Sequence, residues 1–176
     1  MRENNDYSAD PAPEAIKGAI ERFNLREKAI ADGRRDVAHE GVEVYYYITL
    51  NHLAKAVDDG RPTIVNRVLP NIRTDFVSWS SYDVTKPAAM SVGEKGRKRE
   101  LDALDYIKKH LPESDVSGKR VFMGEYCFEL VNFRSPETQS NYTASVMKWA
   151  LEWGCPFVLY REIYCNEIDS RTGKHR

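Results

Sequence analysis

Cysteine is scarce in this chain. Cys127, Cys155 and Cys165 are too few to staple a small disulfide scaffold, and their spacing fits no metal-ligand motif. Long apolar runs are missing as well. Nothing approaches the roughly 18 residues of a membrane span. The opening stretch MRENNDYSADPAPE is polar, holds no signal-peptide apolar region, and reads as a frayed lead-in or an artificial start. Neither sign of charge dominates. The 26 Lys and Arg nearly balance 27 Asp and Glu, so there is no basic excess for nucleic acid and no acidic block for a disordered tail. The densest basic cluster, Lys95 to Arg99, opens a helix-like segment and reads as solvated surface. His39, His52, His110 and His175 are dispersed, so no metal site is expected. No glycine-rich phosphate loop follows any strand pattern, which argues against a dinucleotide fold. No cofactor is expected.

What remains is a chain of 176 residues, 41% of them hydrophobic, enough for one domain with a core. Ile16, Ile20, Phe23, Ile30 and Val37 recur at helical spacing after Pro11 and Pro13. Val42 to Ile48 is aromatic and β-branched and reads as a buried strand. His52 to Val57 reads as a short helix ended by Asp59-Gly60, and RPTIVNRVLPNI as an irregular connection. A second strand is expected over Asp75 to Asp83, followed by loop to Gly96. Leu101, Leu104, Ile107 and Leu111 then mark a helix. The third strand is expected over Arg120 to Gly124, with a loop from Phe128 to Glu137. Tyr142, Val146, Trp149 and Trp153 mark the next helix, with Gly154 as its C-cap. Pro156 to Tyr164 gives the fourth strand. The expected division is a lead-in over 1–14, one domain over 15–168 and a frayed tail over 169–176.

Strands alternating with helices at this spacing imply an α/β fold with parallel pairing and right-handed crossovers. The strand ends finish in polar and aromatic groups: Thr49 and Asn51, Ser80 to Asp83, Glu125 and Tyr126, Tyr164 and Asn166. Ligand sites of parallel α/β folds lie at these C-terminal ends. Aromatic faces stack on sugar rings, while carboxylates and amides bond hydroxyls, so the mixture suits a carbohydrate.

At this point the chain resembles a known group. The run VFMGEYCFE, an amphipathic helix, and WALEWGCPFVLYREIYCNE look like the last two strands of the clan A (β/α)8-barrel retaining glycoside hydrolases, which include many cellulases. DFVSWSSYD resembles strand six of that family. The resemblance implies strands five to eight of a TIM barrel, with Glu125 as nucleophile and Tyr82 as the aromatic residue that orients it. It implies that Asn51, Asp83, Tyr126, Arg161 and Asn166 line the substrate site, with Asn166 and Glu167 at the mouth of the last strand. Arg161 stands where the family carries a tryptophan under the reacting sugar.

A retaining glycosidase needs two carboxylates about 5–5.5 Å apart, and in this clan the acid/base follows an asparagine at the end of strand four. No Asn-Glu pair occupies such a position here. A complete barrel takes about 250 residues, so strands one to four would precede residue 1. Glu129 and Glu162 are alternative second carboxylates, each read more readily as surface. Two readings stay open: a retaining glycosidase completed by a missing N-terminal half, and a catalytically inactive half-barrel that binds glycan or is purely structural. In either case the edge strands and the inner sheet face, with Val44, Tyr46, Val77, Trp79, Phe122, Val158 and Tyr160 among its candidates, would be left uncovered. Self-association or a complementary half-barrel is therefore expected, with no nucleic-acid or membrane partner. The compartment stays open. In an exported protein the sequon Asn141-Tyr142-Thr143 and a Cys127–Cys165 disulfide would become relevant.

Overall fold

The computed structural model describes residues 12–37, the backbone of 45–49, and residues 53–85, 93–128, 135–161 and 172–173. Among the described residues four strands form one sheet: β1 (Tyr45–Thr49), β2 (Phe76–Ser80), β3 (Val121–Tyr126) and β4 (Val158–Tyr160), in the order β1-β2-β3-β4. Every neighbouring pair is parallel. Among the described residues the strand order never reverses, so this sheet is wound in one direction and shows no switch point of the doubly wound kind. The protein is α/β with a parallel sheet. The strand expected to start at Val42 is described from Tyr45 onward.

The crossovers are helical. Helix α1 (Pro13–Asp36) precedes β1; α2 (Leu53–Asp59), α3 (Ile64–Arg67) and a 3₁₀ turn (Leu69–Asn71) join β1 to β2. Helix α4 (Glu94–Lys109) joins β2 to β3, and α5 (Pro136–Trp153) joins β3 to β4. Pro13 sits in the first turn of α1, where its missing N–H is not needed, and Arg34 and Arg35 complement the carbonyl end. Ser135 caps α5 by accepting the Thr138 N–H at 3.2 Å, and Gly154 closes it in the left-handed region at φ 100°. The segment 61–72 is more ordered than its two prolines suggest. The Thr63 N–H donates to Asn66 Oδ1 at 2.8 Å, while Asn66 Nδ2 donates to the Tyr106 hydroxyl at 2.8 Å. One asparagine side chain thus starts α3 and ties it to α4.

The core lies between the sheet and its helices. Val77, Trp79, Val121, Met123 and Tyr126 pack with Leu104 and Ile107 of α4 and with Val146 and Trp149 of α5. Trp149 belongs to this helix-to-sheet packing, and Trp153 borders it. The sequence expectation that put Val77, Trp79, Val158 and Tyr160 on an inner barrel face needs correction. These four pack into the helix-facing cluster, whereas Phe122 lies outside it and meets Phe157 edge-on at 5.7 Å. Alternation along a strand separates the two sets: Ser78 and Ser80 fall on one face of β2, Val77 and Trp79 on the other. The side chains of Val44 and Tyr46 lie outside the described residues. On the Phe122 face, Phe157 just ahead of β4 and Leu159 within it are 58% and 52% exposed. Among the described residues no helix is long and apolar enough to cross a membrane.

The basic cluster at the start of α4 is a network of surface ion pairs. Arg99 reaches both oxygens of Asp58 at 3.1 Å, Arg97 meets Glu152 at 3.2 Å, and Lys98 meets Asp102 at 2.5 Å. The Arg99 and Arg97 pairs tie α4 to α2 and α5, the Lys98 pair lies within α4, and at such exposed positions each contributes little to stability.

Candidate functional site

The site is built on an irregularity of β3. Trp79 pairs with Met123 and the next residue, Ser80, pairs with Glu125. On the other side Met123 pairs with Val158, and Tyr126 pairs with Tyr160. From Met123 to Tyr126 the chain advances three residues while β4 advances two, so β3 carries one extra residue relative to both neighbours. That is a β-bulge at Gly124-Glu125. Its consequence for side-chain direction is large. Strict alternation from Val121 and Met123 would send Glu125 into the helix-facing core. The extra residue shifts the pattern by one, so Tyr126 enters that core and Glu125 emerges on the opposite face.

Gly124 lets the strands approach closely enough for this. A Cβ at Gly124 would lie well inside van der Waals contact of Ser78 Oγ and 3.0 Å from Ser78 Cβ. Glycine is therefore required by proximity rather than by an unusual φ. The carbonyl of Glu125 is fixed by the Ser81 N–H at 3.0 Å, and the Arg161 N–H donates to the Tyr126 carbonyl at 2.9 Å.

Around the Glu125 carboxylate three side chains converge. The Tyr82 hydroxyl donates to Oε1 at 2.6 Å, and a guanidinium nitrogen of Arg161 lies 3.2 Å from the same oxygen. Cys127 Sγ lies 3.9 Å from the Tyr82 hydroxyl. The Glu125 side chain is 20% exposed and that of Arg161 51%, so the pair sits at the surface end of the sheet, open to solvent. Burial is the main influence on the Tyr82 phenol and holds its pKa above the ordinary value of 10, against the opposing pull of Arg161. Ser80, the register partner of Glu125, is fully buried, and its hydroxyl has no hydrogen-bond partner among the described residues.

Tyr82 reaches Glu125 because a helical turn over 82–85 follows β2 directly. The Val84 and Thr85 N–H groups close this turn on the Ser81 carbonyl, at 3.1 and 2.8 Å. Asp83 in the same turn directs Oδ2 to the Ala54 N–H at 2.9 Å, which anchors the first turn of α2.

The sequence-derived residues therefore divide. Glu125, Tyr82 and Arg161 come together in one constellation. Asp83 lies beside them but engages α2. Tyr126 is fully buried; its hydroxyl donates to the Thr143 carbonyl at 3.3 Å, and burial pushes its pKa up to about 12. Its ring stacks edge-on with Tyr160 at 5.1 Å, so it belongs to the packing beneath the site. Asn51, Asn166, Glu167, Glu129, Glu162 and Cys165 lie outside the described residues. Among the described residues no group of three or more His, Cys, Asp or Glu is placed to hold a metal.

Sequence reasoning missed Glu100. It projects from α4 with no exposed surface, and the Thr85 hydroxyl lies 3.2 Å from both of its oxygens. Burial pushes its pKa to about 8; the Thr85 hydrogen bond opposes that shift and the nearby Asp83 charge adds to it. A signal was there. Extending the stripe of Leu104, Ile107 and Leu111 back by one turn lands on Glu100, a carboxyl among apolar positions.

Compared with family models, curated proteins and solved structures, the chain matches none.

Proposed function

We propose that Glu125 is the nucleophilic carboxylate of a retaining glycoside hydrolase-like site, on a parallel sheet that forms half of a (β/α)8 barrel. The observation that carries this reading is the 2.6 Å hydrogen bond from Tyr82 to Glu125 Oε1 at the C-terminal end of the sheet. Tyr82 and Arg161 both meet Oε1. They fix the carboxylate plane, and Oε2 is the oxygen presented for attack. A second carboxylate, acting as acid/base about 5–5.5 Å away, would come from the complementary half. One further observation favours the alternative, an inactive half-barrel. The Arg161 guanidinium neutralises the carboxylate it touches, and a paired carboxylate is a weaker nucleophile.

An activated substrate separates the two. A 2-deoxy-2-fluoro glycoside with a dinitrophenolate leaving group needs no general acid, because the phenolate departs with its electron pair unprotonated. Attack by Oε2 forms one C–O bond at the anomeric carbon as the bond to the phenolate breaks. With gluco-, manno- and xylo-configured reagents, mass spectrometry is expected to find one glycosyl adduct on the peptide bearing Glu125, absent in Glu125→Gln. No adduct with any reagent, or an adduct that persists in Glu125→Gln, overturns the nucleophile assignment.

The barrel half of the proposal rests on the one-way parallel order and on the exposed Phe157 and Leu159. An apolar strand at a sheet edge invites pairing with another chain. Light scattering at low micromolar concentration is expected to give a dimer or larger species. A monodisperse monomer overturns the half-barrel and leaves the assignment of Glu125 untouched.

A further inference from the structure

The turn over 82–85 carries three side-chain anchors in four residues. Tyr82 bonds Glu125, Asp83 bonds the start of α2, and Thr85 bonds Glu100. The third anchor is the unexpected one. Position 100 lies on the apolar stripe of α4 and has no access to solvent. A leucine or methionine would fill such a position without the penalty of burying a carboxyl. What a carboxyl supplies there and an aliphatic side chain does not is a directional bond to the turn.

We propose that Glu100 is a positioning residue for the Glu125 site: its carboxyl holds Thr85, and through the 82–85 turn it keeps the Tyr82 hydroxyl on Glu125. Glu100 carries its proton at neutral pH, so its O–H and its carbonyl oxygen can both engage the Thr85 hydroxyl. Among the described residues the ionisable groups facing it from neighbouring elements are Asp83 of the turn, Tyr126 of β3 and Cys155 ahead of β4. None is cationic, so none draws the proton off. Two carboxyls thus bracket one turn, a neutral acid in the core and Glu125 at the surface. The functional consequence rests on Glu125 being the reactive carboxylate, but the geometry is read without any sugar chemistry.

The test follows the Tyr82 phenol by NMR in the full chain labelled with [13Cζ]tyrosine, with the resonance assigned from its loss in Tyr82→Phe. In the wild type Tyr82 is expected to ionise above an exposed tyrosine. In Thr85→Val, which keeps the shape and removes the hydroxyl, its ionisation is expected to fall back towards the exposed value. Glu100→Ala is expected to do the same, and Glu100→Gln, which can still bond Thr85, to retain the wild-type titration. A purely structural role for Glu100 would lower stability without moving Tyr82 in the folded variant. A wild-type Tyr82 titration in folded Thr85→Val overturns the proposal, whether or not Glu100→Ala folds. The glycosyl-labelling experiment can fail while this one succeeds, so the two readings fall separately.

Discussion

Gly124→Ala is expected to destabilise the protein by on the order of 3 kcal/mol, the upper part of the range for overpacking a well-packed site. The single added methyl meets Ser78 on the adjacent strand, with Ser78 Cβ at 3.0 Å and Ser78 Oγ closer still. Rotating the serine hydroxyl away relieves the closer contact only, and the Cβ contact stays tighter than nine in ten real Cβ contacts. The remaining relief is to push β2 and β3 apart, which strains the ladder holding Ser80 opposite Glu125. Ser78→Gly removes both atoms that collide. Alone it should cost about 1 kcal/mol, as glycine does within a strand. Combined with Gly124→Ala it should recover part of the loss, giving a favourable coupling of about 1–2 kcal/mol in a double-mutant cycle measured by urea unfolding. A Gly124→Ala variant within 0.5 kcal/mol of wild type would show that the strands are not this close.

The same close approach explains why some of this site was legible in the sequence and some was not. Helical stripes such as Leu104, Ile107 and Leu111 have period 3.6 and are read directly. So is the glycine after Trp153, because a left-handed residue ends α5. Strands separated by such helices imply parallel neighbours, and the sheet order follows. Which face a strand residue takes is another matter. It depends on a period of two, which a single inserted residue inverts, and at Gly124-Glu125 one residue is inserted. Simple alternation buries Glu125 beside Met123 and turns Tyr126 to the rim, the reverse of the arrangement found. An interior glycine is the only local sign of such a bulge. The Tyr82–Glu125 bond spans 43 residues of sequence and is set by the register between β2 and β3, which no local pattern encodes. Glu100 escaped notice for a different reason. It directly follows the charged run Lys95 to Arg99, which reads as solvated surface, and that ordinary reading hides the fact that its position faces the core.

Glu100 also sets the second large effect, a fall in stability as pH rises through the neutral range. In the unfolded chain this carboxyl loses its proton near its ordinary value of 4.5, whereas in the fold it keeps the proton to about 8. Between those limits the native state binds more protons than the unfolded state, so unfolding becomes easier with each unit of pH. The contribution is fully present below about 4.5 and fully lost above about 8. Integrated over that window it amounts to on the order of 5 kcal/mol, at roughly 1.4 kcal/mol per unit of pKa difference. The groups facing Glu100 accentuate the effect, because Asp83 is already charged and disfavours a second charge beside it. Glu100→Gln keeps the shape and a donor for Thr85 but cannot titrate, and every other ionisable group is common to both proteins. The difference between the two unfolding curves, measured in urea at steps from pH 5 to pH 8.5, therefore isolates this carboxyl. The variant is expected to gain on the wild type steadily as pH rises, with the gain levelling off near pH 8. A difference that stays constant across the range would mean that Glu100 is already ionised in the fold. The neutral acid that ties Thr85 into the core, and with it the account of how Tyr82 is seated on Glu125, would then have to be abandoned.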